Sequence, residues 1–168
     1  MMHAPFRDEA FYAGGYKTMN LLIDADACPV TDIALRLALA FHVPAVLFCD
    51  SAHEYSRKDA QVVTVMRGAD SVDFALVNRA IKGDIVITQD YGLAAMCLSR
   101  GAYVLRQDGL MYTEENILPL LNQRHETKKR LRAGMRVRGP RKRDSTQDEV
   151  FAAALTALLN EITGSHSR

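Results

Sequence analysis

The sequence predicts an α/β protein with a mainly parallel sheet of about five strands and helices packed on its faces. Two observations carry this. Short apolar runs of strand length alternate with amphipathic stretches of helix length through most of the chain. The runs MNLLIDAD and DIVITQD are continuously apolar and end in acids, which suits parallel strands buried on both faces. With 168 residues there is room for one ordinary domain, and 48% apolar residues are enough to give it a core.

Residues 1–18 (MMHAPFRDEAFYAGGYKT) have neither helical nor strand period and contain Gly14-Gly15. They read as a flexible leader, with Met19 directly after them as a candidate start, and residues 19–163 read as the single domain. MNLLIDAD is the first strand. Pro29 suits the first position of a helix, whose apolar face is Val30, Ile33, Ala34, Leu37 and Phe41. Pro44 breaks that helix, and PAVLFCD is the second strand. Residues 51–60 are polar and read as a loop, with His53, Tyr55, Arg57 and Lys58 as a weak addition to any basic surface. QVVTVM is a third, β-branched strand. GADSVDFALVNRAI starts and continues a helix, DIVITQD is the fourth strand, and GLAAMCLSR is a short helix stopped by Gly101. AYVLR is the fifth strand, and Asp108-Gly109 turns the chain into a short hairpin at Leu110–Tyr112. Thr113 and Glu114 open a helix whose apolar face (Ile117, Leu120, Leu121) gives way to charge. Residues 146–163 form a last amphipathic helix. Thr146 and Glu149 supply a capping-box pattern, Val150, Phe151, Ala154, Leu155, Leu158, Leu159 and Ile162 an apolar stripe, and Gly164 a stop.

A net charge of +1 names no partner. The three cysteines (Cys28, Cys49, Cys97) fit no zinc spacing, and free thiols point to a reduced, cytoplasmic compartment. The histidines form no i, i+4 pair for a metal helix. No apolar run reaches membrane-span length, and the N-terminal stretch lacks the apolar core of a signal peptide. Charge is concentrated in residues 124–143, which hold ten Lys or Arg against one acid. That segment is either a phosphate-binding surface or a solvated face, with neither preferred by sequence. Arg136, Arg138, Arg141, Lys142 and Arg143 are its candidate nucleic-acid contacts.

Open parallel sheets bind ligands at the C-terminal ends of their strands, which directs attention to the aspartates there. Asp24 and Asp26 end the first strand, Asp90 ends the fourth, and Asp70 and Asp73 open the helix between the third and fourth. Two carboxylates at ~5 Å repel by about 3 kcal/mol at an effective dielectric near ~20. Several such pairs call for raised pKa values or a bound cation, and hard oxygen ligands suit Mg²⁺ or Mn²⁺. The competing role is helix capping, for Asp70 and for Asp90. On the crowding argument, Asp90→Asn stabilises the metal-free protein by about 1–3 kcal/mol. Cys28, at a strand–helix turn, is either an activated thiol or a small buried residue, with the second preferred.

IDADACPV, GADSVD, DIVITQDYGLA, RGAYVL and YTEENI, in that order, resemble the YaiI/YqxD family of bacterial proteins over nearly all of residues 19–163. The resemblance implies a branch of the PIN-like nuclease superfamily. It therefore implies a three-layer α/β/α fold of strand order 3-2-1-4-5, and cleavage of RNA or other phosphodiesters by acids around Mg²⁺ or Mn²⁺. By position it implies Asp24 and Asp90 as the strand-end acids and Asp70 or Asp73 at the helix position, with Asp24, Asp73 and Asp90 taken as catalytic residues, these and Asp26 and Asp70 as metal ligands, and RNA as the partner. Two alternatives remain. One is a non-catalytic RNA-binding module of the same fold. The other is a haloacid-dehalogenase-type phosphatase, suggested by Asp24-x-Asp26 but lacking that motif's following Thr or Val and its later lysine.

Overall fold

The computed structural model describes residues 19–26, 28–50, 57–66, 68, 70–139 and 142–165. The expected leader 1–18 lies outside them, as do His53, Tyr55 and Arg141. β1 (Leu21–Asp24), β2 (Ala45–Asp50), β3 (Gln61–Val65), β4 (Ile85–Ile87) and β5 (Tyr103–Leu105) pair in parallel. β6 (Met111–Tyr112) adds an antiparallel edge strand, so the order is β3-β2-β1-β4-β5-β6. This is the expected 3-2-1-4-5 sheet extended by the short hairpin. The hairpin needs its glycine: Gly109 has φ +88°, and a Cβ there would come within 2.9 Å of Val150 Cγ1.

Strand side chains alternate faces, and this builds two cores. Leu21, Ile23, Leu47, Ile85 and Ile87 face α1 (Thr31–Ala40) and α5 (Ser145–Ser165), where Ala34, Leu35, Phe151, Leu155 and Leu159 meet them. Leu22, Val46, Phe48, Val86 and Val104 face the other way. They pack under α2 (Ser71–Arg79), α3 (Tyr91–Ser99) and α4 (Glu114–Arg132) through Leu76, Leu93, Ala94, Cys97 and Ile117. The architecture is therefore three-layer α/β/α. Residues 21–23 and 85–87 are wholly buried, which explains why these strands read as continuous apolar runs.

Helix ends differ from the sequence reading in three places. α1 begins at Thr31 with Val30 at the N-cap, so Pro29 sits in the preceding turn, where the Thr31 hydroxyl donates to the Cys28 carbonyl at 3.1 Å. The capping box of α5 is made by Asp144 and Gln147, whose side chains accept from each other's backbone N–H at 3.3 and 3.2 Å, so Thr146 and Glu149 do not form it. Asp caps as well as Thr, and the earlier pair starts the helix at Ser145, while Gly164 lies inside its last turn. α4 runs to Arg132, well into the basic segment, and stops in a Schellman motif. There Gly134 (φ +74°) donates to Leu131 O and Met135 donates to Arg130 O, each at 3.0 Å. No helix among the described residues is long and apolar enough to cross a membrane.

Candidate functional site

From β1 the chain moves outward to β2 and β3, then returns to place β4 on the other side of β1. That reversal opens a crevice at the C-terminal ends of β1 and β4, where ligands of such sheets bind. Asp24 stands there as the last residue of β1. Its Oδ2 accepts from the Thr88 hydroxyl at 2.8 Å, and Thr88 Oγ1 accepts the Asp90 N–H at 3.0 Å. Thr88, buried just beyond β4, thus joins the two strand ends through one hydroxyl. Burial pushes the Asp24 carboxyl up to about 6; the Thr88 bond opposes this, while the charges of Asp73, Asp26 and Asp90 add to it.

Asp73, in the first turn of α2, is also pushed up, first by burial and then by Asp90 and Asp70. Asp26 Oδ2 accepts the Asp50 N–H at 3.0 Å, tying the chain after β1 to the end of β2. Asp70 is exposed, sits at the N-cap of α2 with φ 60°, and makes no side-chain cap bond, so the capping role weighed for it is not realised.

Asp90 does cap its helix. Its Oδ1 accepts from Gly92 N and Leu93 N at 2.8 and 2.9 Å, and its Oδ2 faces Arg124 Nη1 at 3.3 Å. Burial pushes its carboxyl up, but the Leu93 N–H, Arg124 and the Gly92 N–H together hold it below the usual carboxylate range. The expectation that Asp90→Asn relieves repulsion is corrected accordingly: this carboxylate is stabilised as an anion. Arg124 also lies 5.6 Å from the Tyr91 ring centroid, a cation–π contact that fixes it over the start of α3.

Asp24, Asp26, Cys28, Thr88, Gln89 and Gln107 line a small cleft of about 190 Å³, its open mouth included. The Cys28 thiol is pushed up, chiefly by burial, which favours the small-buried-residue reading over an activated nucleophile. Gln107 spans the mouth, donating to Gln89 Oε1 at 2.9 Å.

Of the candidate basic contacts, Arg136, Arg138 and Lys142 are exposed and Arg141 lies outside the described residues. Arg143 is engaged: its Nη1 donates to Gln107 O at 3.0 Å and it is ion-paired with Asp148. Arg57 is held by Asp59 and Asp32 at 2.9 and 2.6 Å.

The donor chemistry of the aspartates suits Mg²⁺ or Mn²⁺. Their placement stops short of a cage: among the described residues no three His, Cys, Asp or Glu side chains are grouped to hold one ion. The two facts are compatible, because charges act over several ångströms while an Mg²⁺ shell closes at about 2.1 Å. Thr88, Arg124 and Asp50 were not singled out from sequence. Asp50 carried a usable signal, since VLFCD ends an apolar run in an acid just as LLID does.

A family profile described as "Uncharacterized BCR, YaiI/YqxD family" matches residues 22–161. The chain belongs to that family. The UPF0178 protein of Exiguobacterium sibiricum is 46% identical over 145 residues, covering 86% of this chain and 99% of that one. A UPF0178 protein of Clostridium acetobutylicum is 45% identical over 143 residues, 84% of this chain and 97% of its own. That of Ruminiclostridium cellulolyticum is 47% identical over 141 residues, 84% and 92% of the two chains. No solved structure matches the chain.

Proposed function

We propose that the crevice between β1 and β4 is the hydrolytic centre of a Mg²⁺- or Mn²⁺-dependent, ribonuclease-like phosphodiesterase of the cytoplasm. One observation carries the reading. Asp24 is held near 6 at the strand-order reversal, with further carboxylates close enough to raise it. Such a group exchanges protons near neutral pH, as a general base must, and crowded carboxylates gain from a cation. Asp24 and Asp73 are the first candidates to hold the ion, with Asp26, Asp70 and Asp90 around them. When bound, a divalent ion supplies charge stabilisation at the phosphate and activates water. Asp24 takes the proton, Thr88 orients Asp24 through its hydroxyl, Asp90 keeps α3 in register, and the basic segment holds the polyanion.

A cleavage screen over single- and double-stranded RNA and DNA, with Mg²⁺, Mn²⁺ or chelator, tests this. Cleavage that needs the metal and falls at least about a hundredfold in Asp24→Asn is expected, matching the loss of a general base. Absence of cleavage from every substrate, or equal cleavage by Asp24→Asn, refutes it. The Asp90 carboxylate, engaged by Arg124 and the start of α3, favours a second reading, a non-catalytic RNA-binding module. That module binds RNA equally with metal or chelator. The phosphatase alternative has less support, because Asp26, its required second acid, accepts a backbone N–H of β2.

A further inference from the structure

The two ends of the basic segment stand at the acidic cleft. Arg124 contacts Asp90, and Arg143 donates to the carbonyl of Gln107, a residue of the cleft wall. Between them, α4 leaves the body: from Lys128 to Arg132 every residue is exposed. Along α4, Arg124, Lys128 and Arg132 follow at i, i+4 and i+8, one stripe rising about 6 Å per step from the cleft onto the projecting part. Lys128 and Arg132 form no ion pair among the described residues. Leu131, 55% exposed, lies on the same face.

We infer that this stripe is the path along which a single-stranded polynucleotide reaches Asp24, with Lys128 and Arg132 taking successive backbone phosphates and Arg124 the one nearest the cleft. The inference rests on the proposed phosphodiesterase site for the destination of the strand, but not for the binding itself. Charge complementarity fixes a polyanion as the occupant. Two features select a single strand. Asp24 is recessed in a small cleft, and a duplex with a persistence length of about 50 nm cannot bend into it, whereas a single strand can. An exposed leucine beside the cations is matched by unstacked bases, which a duplex hides.

The test is binding of a fluorescent oligouridylate and of an RNA duplex of equal length, in chelator, across a salt series. Lys128→Ala/Arg132→Ala is compared with Arg36→Ala/Lys82→Ala, which removes the same charge at exposed positions outside the basic segment. The wild type is expected to bind the single strand at least about tenfold tighter than the duplex. The helix pair should weaken that binding severalfold or more and lower the salt slope by about 1.4, two phosphates at about 0.7 each. The control pair should change both far less. Equal losses in the two variants, no loss in the helix pair, a preference for duplex, or no binding by the wild type each overturns the inference. Because cleavage is not needed for this readout, a stripe that binds in a protein that never cuts removes the phosphodiesterase and leaves the path. Cleavage with binding indifferent to the stripe does the reverse.

Discussion

Replacing Asp24 by asparagine should stabilise the metal-free protein above neutral pH and leave it unchanged in acid. The native carboxyl titrates at about 6, against 3.8 for the same group in the open. Each pKa unit corresponds to about 1.4 kcal/mol, so ionised Asp24 costs the folded state about 3 kcal/mol. The sign follows from proton binding. Between the two values the native state holds the proton that the unfolded chain has already lost. Stability therefore falls as pH rises through that window and stays lower above it. Asparagine keeps an oxygen for the Thr88 hydroxyl and carries no charge. The variant should match the wild type near about pH 4 and exceed it by about 1–3 kcal/mol near about pH 8, the lower figure allowing for an amide donor set among carboxylates. Urea unfolding of both proteins across this range measures the difference. A difference independent of pH, or a variant less stable in alkali, would show that Asp24 is not destabilised as an anion. The acid–base argument for the site would then fail. Repeating the series with Mn²⁺ adds a second reading: an ion on Asp24 should stabilise the wild type and not the variant.

Asp90→Asn should behave in the opposite sense. Asparagine caps α3 nearly as well, but the Arg124 pairing loses its charge, at a cost of about 0.5 kcal/mol for so exposed a pair, read by thermal melting in chelator; clear stabilisation would refute the assignment of Asp90 as a favoured anion. Asp84→Ala should cost on the order of 3 kcal/mol while leaving nucleic-acid binding unaltered. Asp84 is 1% exposed at the opposite edge of the sheet, where it accepts from Asn20 N, Ile81 N and Asn20 Nδ2 at 3.0, 3.1 and 3.3 Å. A denaturation midpoint equal to wild type would show these donors find other partners.

The fold was legible because its signals are local. Continuous apolar runs locate buried parallel strands, and the turn residues between them locate helix starts; among the described residues the five expected strands and five helices follow in the order read, with the short hairpin adding a sixth strand. The errors lie where two local solutions compete. Pro29 fits a first helical position and a turn equally well, and the turn is taken because Thr31 bonds back to Cys28. Asp144–Gln147 and Thr146–Glu149 each offer a capping pair, the second offset from the first by two residues, and the Asp144 pair forms. The helix opened by Thr113 does not end where its apolar face gives way to charge: it continues to Arg132 and stops at the left-handed Gly134.

The site was legible in position and not in electrostatics. Asp24 and Asp90 look alike in the sequence, each an acid closing an apolar strand, and the neighbouring of β1 and β4 does bring both to one crevice. Their carboxyls are nonetheless driven in opposite directions. What separates them is supplied from elsewhere. Asp90 has the free N–H groups of α3 and a guanidinium 34 residues later on α4. Asp24 has one hydroxyl, from Thr88, 64 residues away, set against burial and three other acids. Counting aspartates at strand ends treats all of them as equally repelled, and so assigns the stored repulsion to the wrong member of the pair. A helix N-terminus and one arginine are enough to stabilise the Asp90 anion, which leaves Asp24 as the member of the pair that burial and the neighbouring acids hold against ionisation.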